Sequence, residues 1–218
     1  MQIAKSQFLR NIDYVRELDS LYDFLKNNQK LSNDLSDLLR AEIVYSISAL
    51  DKLIHELIRI GMIEVFNGQR VRTSKYEGFT LSAKTLEKIR ETTTERSLNP
   101  GRPPLPDELP EFWFEREIVL KHKSVSYQTP TNIGDGLSLI WKEENKWQKI
   151  SILMQINERD VKTQLETLVT RRNQIVHEAD LNIQDSSKNN ISDIDVKDSV
   201  NFIEKLGNTI FDCVKMRY

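Results

Sequence analysis

Apolar residues recur three and four positions apart over much of this chain, which is the spacing of one helix face. The pattern is strongest from Ser36 to Ile60, where a wide apolar stripe predicts a long, well-buried helix. Residues 3–28 have a weaker apolar face, which predicts an outer helix packed on that core. Only 7 glycines and 6 prolines interrupt the chain, so most of it is free to be helical.

The helical pattern breaks into short pieces between residues 61 and 130. The dipeptide Asn67-Gly68 separates two short alternating runs, which predicts a β-hairpin. Prolines cluster from Asn99 to Pro110, where regular structure is not expected. We interpret the whole stretch as an irregular insertion, or capping elaboration, on a helical core.

Two helical pieces are predicted within this stretch. Ser82 is a candidate N-cap for one short helix, because its hydroxyl can accept a hydrogen bond from the first turn. Residues 111–123 form the second piece, and Trp113 is its expected packing anchor.

Helical periodicity returns at Leu137. Residues 137–154 supply a new apolar face, and Asn157 is a candidate cap for a helix over residues 158–179. A polar stretch follows, and a last helix is expected over residues 196–218. The predicted fold is all-α, an antiparallel bundle of about four or five long helices.

Length and composition place limits on this fold. We expect one domain over residues 1–218 that includes the insertion at about 61–130 and is large enough to bury a core. Cys213 is the only cysteine, which excludes an intramolecular disulfide and favours a reducing compartment. The sequence has no signal-peptide pattern and no apolar run that could span a membrane, so we expect a cytoplasmic protein. A net charge of -2 argues against coating nucleic acid by bulk electrostatics.

One helical pattern is broken near its end, in the segment "TRRNQIVHEAD". Arg172 occupies a position on the apolar seam where the spacing requires an aliphatic residue. A buried arginine is costly unless it is paired, solvated in a cleft or bound to an anion, and such exceptions are typical of functional sites. The seam consists of Val161, Leu165, Leu168, Arg172 and Ile175.

The angles around this helix separate the polar residues. Asn173 and His177 are about 40° apart at 100° per residue, so they share a face and the amide can orient the imidazole. Arg172 and His177 diverge by about 140°, too far to grip one small atom directly. Two copies of the segment facing each other across a two-fold axis would bring them together.

A capping interpretation also fits the residues, because a histidine and an arginine at a helix C-terminus can interact with its carbonyls and dipole.

Arg172, Asn173 and His177 resemble the R-x4-H signature of the HEPN superfamily of all-α domains. Two further blocks, "SALDKLIHEL" (Ser48–Leu57) and "KSVSYQTPTNI" (Lys123–Ile133), occur in the order seen in its RiboL-PSP-HEPN branch. The resemblance covers about residues 35 to 215.

This resemblance implies a metal-independent endoribonuclease that works as a homodimer and pools Arg172 and His177 of both protomers. It also implies a toxin or antiviral defence role, with RNA as substrate and an antitoxin or defence-system protein as a further partner. HEPN toxins paired with a nucleotidyltransferase antitoxin often extend the signature to R-x4-H-x-Y. Ala179 stands at that tyrosine position here, so inactivation by tyrosine modification is not expected. The alternative function is a non-catalytic helical module that binds a partner protein or nucleotide.

Other polar residues are candidates for supporting roles. Asp51 and His55 are four apart on the first long helix, where they can form a base with its orienting group or an ordinary salt bridge. With Asn173 and Arg171 they are expected as supporting or RNA-binding residues. His122 lies in a short basic run and is expected to be solvated. No metal-ligand spacing and no phosphate-binding glycine loop occurs, so no cofactor is expected.

Overall fold

The computed structural model describes residues 1–28, 34–98, 101–182 and 184–215. Asn99 and Pro100, at the start of the proline cluster, lie outside these ranges.

The described residues form nine α-helices and one short 3₁₀ turn (Pro106–Glu108). They contain no strand, and their one isolated β-bridge joins Leu181 to Lys188. The predicted all-α fold is therefore confirmed. The helices are α1 (Gln2–Asn28), α2 (Ser36–Phe66), α3 (Ser74–Glu77), α4 (Ala83–Leu98), α5 (Pro110–His122), α6 (Pro130–Leu137), α7 (Lys146–Met154), α8 (Glu158–His177) and α9 (Asp193–Val214).

The central helix of the bundle is α2. It packs against α1, α5, α6, α8 and α9. Its apolar stripe is buried as expected, with Leu50, Ile54 and Leu57 fully excluded from solvent. Burial of each such side chain contributes about 1.5–3 kcal/mol to the stability of the fold. α2 supplies much of the apolar core.

Ion pairs between α1 and α9 show that these two helices are antiparallel. Residue numbers rise along α1 as those of the partners fall along α9, in the pairs Lys5–Asp212, Arg16–Glu204 and Lys26–Asp193. At one end of the bundle, Arg40 near the start of α2 and Arg171 near the end of α8 both bind Asp180. The C-terminal end of α8 therefore lies beside the N-terminal end of α2.

The hairpin predicted at Asn67-Gly68 is wrong. α2 continues to Phe66, because Met62 and Val65 extend its buried apolar stripe. Asn67 caps the helix, and Gly68 has a φ of 70°, a left-handed conformation that glycine adopts without strain. The turn signal was correct, but it ends a helix instead of joining two strands.

The local helix signals were otherwise informative. Ser82 caps α4, with its hydroxyl accepting from the backbone N–H of Thr85 at 3.3 Å. Asn157 caps α8 and accepts from the N–H of Arg159 at 2.9 Å. Both predicted caps are confirmed.

Two predictions about packing and continuity need correction. Trp113 is only half-buried and donates its indole N–H to the Asp107 carbonyl, whereas Phe114 is buried and stacks on Phe66. Phe114 is thus the packing anchor of α5.

The apolar stretch 137–154 is not one helix but the end of α6 and the whole of α7. The break lies between Leu137 and Lys146, and near its end the Glu143 carboxylate accepts from the backbone N–H of Asn145 at 3.1 Å.

The single domain with an insertion at about 61–130 stays a prediction. The first residues of that stretch, Gly61 to Phe66, belong to α2. Beyond them, α4 packs on α5, and α5 packs on α2.

Candidate active site

α8 carries the R-x4-H segment at its C-terminal end. Val161, Leu165 and Leu168 bury the apolar seam, and Arg172 takes the next position on it. Arg172 is half-buried, and its Nε is buried without a hydrogen-bond partner among the described residues. Its Nη1 donates to Oδ1 of the adjacent Asn173 at 3.1 Å. An unpaired buried donor costs about 1–3 kcal/mol, and a phosphate that reached this nitrogen would offset that cost.

His177 is the last residue of α8 and is exposed. Within the described parts of the chain its imidazole makes no hydrogen bond or ion pair. His177 is therefore open to solvent and accessible to a ligand.

Asn173 is also exposed, and its side-chain oxygen is bound to Arg172 and not to His177. The expected orientation of the imidazole by Asn173 stays a prediction.

Arg171 binds Asp180, whereas the adjacent Arg172 binds Asn173. It binds both carboxylate oxygens of Asp180, with Nη2 at 2.8 Å from Oδ2, and it reaches the carbonyl of Asn190 at 3.2 Å. The forked geometry of this contact is the strong form of an arginine–carboxylate pair. Its guanidinium is thus committed within the protomer, and an RNA-binding role for Arg171 stays a prediction.

Asp180 is fully buried and was not anticipated as a functional residue. Arg40 donates from Nε to Asp180 Oδ2 at 2.5 Å and from Nη2 to the Asn189 carbonyl at 2.7 Å. Asn189 in turn donates to Asp180 Oδ1 at 3.2 Å. Arg40, Arg171 and Asp180, here called the aspartate clamp, tie the end of α8 to the start of α2. No sequence signal marks it, because Arg40 and Asp180 are 140 positions apart.

Asp51 and His55 lie farther along α2, with His55 Nε2 3.9 Å from Asp51 Oδ1. Asp51 accepts from the backbone N–H of Tyr127 at 2.5 Å, and His55 Nε2 is 3.0 Å from the carbonyl of Val125. Asp51 is about 16 Å from Arg40 along the helix axis at 1.5 Å per residue. Within one protomer the pair holds the segment before α6 and is separated from the end of α8. Its role in supporting the site stays a prediction.

His122 is not solvated, contrary to the sequence interpretation. It is half-buried, and its Nδ1 is hydrogen-bonded to the hydroxyl of Tyr127. Burial lowers the pKa of His122, and the neighbouring His55 and Lys121 lower it further. Burial raises the pKa of Tyr127 to about 12, with Asp51 adding to the effect. His122 and Tyr127 are therefore both neutral at physiological pH.

The described residues contain no group of three or more His, Cys, Asp or Glu side chains that could hold a metal ion. None of their helices is both long enough and apolar enough to cross a membrane.

Comparison with known proteins tests the resemblance seen in the three sequence blocks. No curated protein and no solved structure matches the chain. The family model described as RiboL-PSP-HEPN matches residues 9–216, which includes α2, the segment before α6 and all of α8. This protein therefore belongs to the RiboL-PSP-HEPN family.

Proposed function

We propose that this protein is a metal-independent endoribonuclease that acts as a homodimer in a toxin or defence system. Family membership supports a nuclease or another RNA-related role, because HEPN domains are often ribonucleases. One observation carries the specific assignment. Among the described residues, the Nε of Arg172 and the imidazole of His177 have no hydrogen-bond partner, whereas the neighbouring Arg171 binds Asp180 and the Asn190 carbonyl.

These two residues have complementary chemistry for cleavage of RNA. His177 takes the proton of a ribose 2′-OH, the 2′-oxygen forms a bond to phosphorus, and the bond from phosphorus to the 5′-oxygen breaks. The leaving 5′-oxygen receives a proton, from the second His177 of the dimer or from solvent. Arg172 holds the phosphate and stabilises the negative charge that develops on it. The products are a 2′,3′-cyclic phosphate and a 5′-hydroxyl.

The divergence of about 140° between Arg172 and His177 around α8 supports the proposed dimer. Two α8 ends related by a two-fold axis place both motifs in one cleft, where a phosphate offsets the repulsion between like charges. The buried Nε of Arg172, which has no hydrogen-bond partner among the described residues, supports a further group or ligand at this position.

Purified protein should cleave single-stranded or loop RNA in the presence of EDTA and leave a 2′,3′-cyclic phosphate. RNA in which the 2′-OH is replaced by hydrogen should not be cut, and cleavage of that substrate would exclude the mechanism. His177→Ala should lower the rate by about 10²–10⁴-fold. Thr170→Ala, at an exposed position of the same helix, is the matched control and should cleave at the wild-type rate.

Expression in bacteria gives an independent readout. Growth arrest by wild type but not by His177→Ala supports the nuclease. If wild type cleaves no RNA and Arg172→Ala abolishes dimerisation, the non-catalytic binding module is the better assignment.

A further inference from the structure

We propose that Asp180 is a positioning residue, which sets the placement of His177 through the aspartate clamp. The inference rests on the proposed ribonuclease function, because the placement matters only if His177 transfers a proton. Asp180 does not touch the motif side chains in the described contacts. It acts on the backbone that immediately follows His177.

Because the His177 side chain makes no hydrogen bond or ion pair with the described residues, the backbone at this position decides where the ring lies. An imidazole held by hydrogen bonds takes its position from its partners. His177 has none among the described residues, so the last turn of α8 determines where the ring lies. Any force that fixes this turn therefore fixes the imidazole.

The turn after His177 has an unfavourable backbone conformation. Ala179 has a φ of 52° and Asp180 a φ of 58°, the left-handed region that residues with a Cβ seldom adopt. The N–H groups of Glu178 and Asp180 both donate to the carbonyl of Gln174 at 3.0 Å. Two consecutive residues in this region persist only when their surroundings hold them there.

The aspartate clamp provides that restraint from two sides. Arg171 binds the Asp180 carboxylate from within α8, and Arg40 binds it from α2. Asn189 adds a third anchor, since its backbone N–H donates to the Asp180 carbonyl at 2.9 Å. The strained turn is thereby attached to the central helix of the bundle.

Asp180→Asn tests the proposal, because it keeps the shape of the side chain and removes the charge that two guanidinium groups share. We expect kcat for RNA cleavage to fall by about 10–100-fold, since small misplacements of a reacting group have effects of this size. KM should change less than kcat, because Arg172 still binds phosphate. An unchanged kcat in folded Asp180→Asn would overturn the proposal.

A second variant covers the case in which Asp180→Asn does not fold. Arg171→Lys keeps the positive charge but loses the two-pronged contact with Asp180. It should lower kcat by about tenfold, and a wild-type kcat in this variant would overturn the proposal as well.

Glu64→Gln is the matched control for stability. Glu64 lies near the end of α2 opposite the aspartate clamp and forms a buried ion pair with Arg70 at 2.9 Å. Arg70 also binds the carbonyl of Val214 at the end of α9. This variant should unfold at a lower temperature yet keep the wild-type kcat. A kcat loss equal to that of Asp180→Asn would show that activity merely follows stability, and would also overturn the positioning role.

Amide hydrogen exchange separates this inference from the proposed function. In the Asp180→Asn variant, exchange at the backbone amides of positions 178 and 180 should rise by at least about tenfold while exchange in the middle of α2 is unchanged. If wild type cleaves no RNA, the proposed function fails, and amide exchange alone then tests whether the aspartate clamp holds the turn after His177. Unchanged exchange at these two amides would then overturn it.

Discussion

Gly207 of α9 lies directly against the aromatic ring of Phe8 in α1. A Cβ at position 207 would come within 2.6 Å of Phe8 Cε1, and Phe8 is 1 % exposed, so neither group has room to move. Gly207 is therefore the contact that allows α1 and α9 to approach closely.

Gly207→Ala should destabilise the protein by about 1–3 kcal/mol through overpacking. A gain of up to about 1 kcal/mol in helix propensity offsets part of this cost. Urea unfolding of wild type and variant measures the difference. Gly101→Ala, where a Cβ would meet no atom within 4 Å, is the control and should change stability by less than about 0.5 kcal/mol. Equal stability of Gly207→Ala and wild type would contradict the close contact.

Glu42 makes stability depend on pH. It is 1 % exposed, and its Oε1 has no hydrogen-bond partner among the described residues. Burial and the nearby Asp19 raise the pKa of Glu42 from 4.5 to about 7. The folded protein therefore binds a proton that the unfolded chain releases, and stability falls as pH rises from about 4.5 to 7.

Glu42→Gln should remove this loss, which is on the order of 3 kcal/mol. Urea unfolding at pH 5 and pH 8 provides the measurement, with exposed Glu17→Gln as the control. The same pH dependence in wild type and Glu42→Gln would exclude Glu42 as its source.

His122 has the opposite dependence. Its lowered pKa means that the unfolded chain takes up a proton more readily than the folded protein. The contribution of His122 to stability should therefore fall as pH decreases below the ordinary histidine value of 6.5, opposite in sign to that of Glu42. Relative to wild type, His122→Gln should become more stable in thermal unfolding as pH is lowered from 7.5 to 5. An unchanged difference between variant and wild type across this range would assign the effect to other groups.

Residues from two protomers should complete each active site. Arg172→Ala and His177→Ala are each expected to be inactive, but heterodimers formed by mixing them should recover part of the activity. Subunit exchange followed by an RNA cleavage assay measures this recovery. A protein that is monomeric at micromolar concentration, or mixtures that stay inactive after exchange is verified, would argue against a shared cleft.

Sequence patterns predicted the features of this fold that depend on neighbouring residues. The cap at Asn157 and the interruption of the seam at Arg172 both follow from spacing within one helix. The hairpin at Asn67-Gly68 failed because the buried stripe of α2 outweighed a local turn signal. Asp180 could not be predicted, because its partner Arg40 lies 140 positions away and only the folded chain joins them.

The central position of α2 has a consequence for synthesis in the cell. Its helical partners α5, α6, α8 and α9 all follow it in the chain. At about 5–20 residues per second, the ribosome needs roughly 10 s to pass from the end of α2 to the start of α9. During that interval the partners of α2 emerge one after another, so part of its long apolar surface stays uncovered until α9 is made. We therefore expect the nascent chain to depend on chaperones until its last helix emerges.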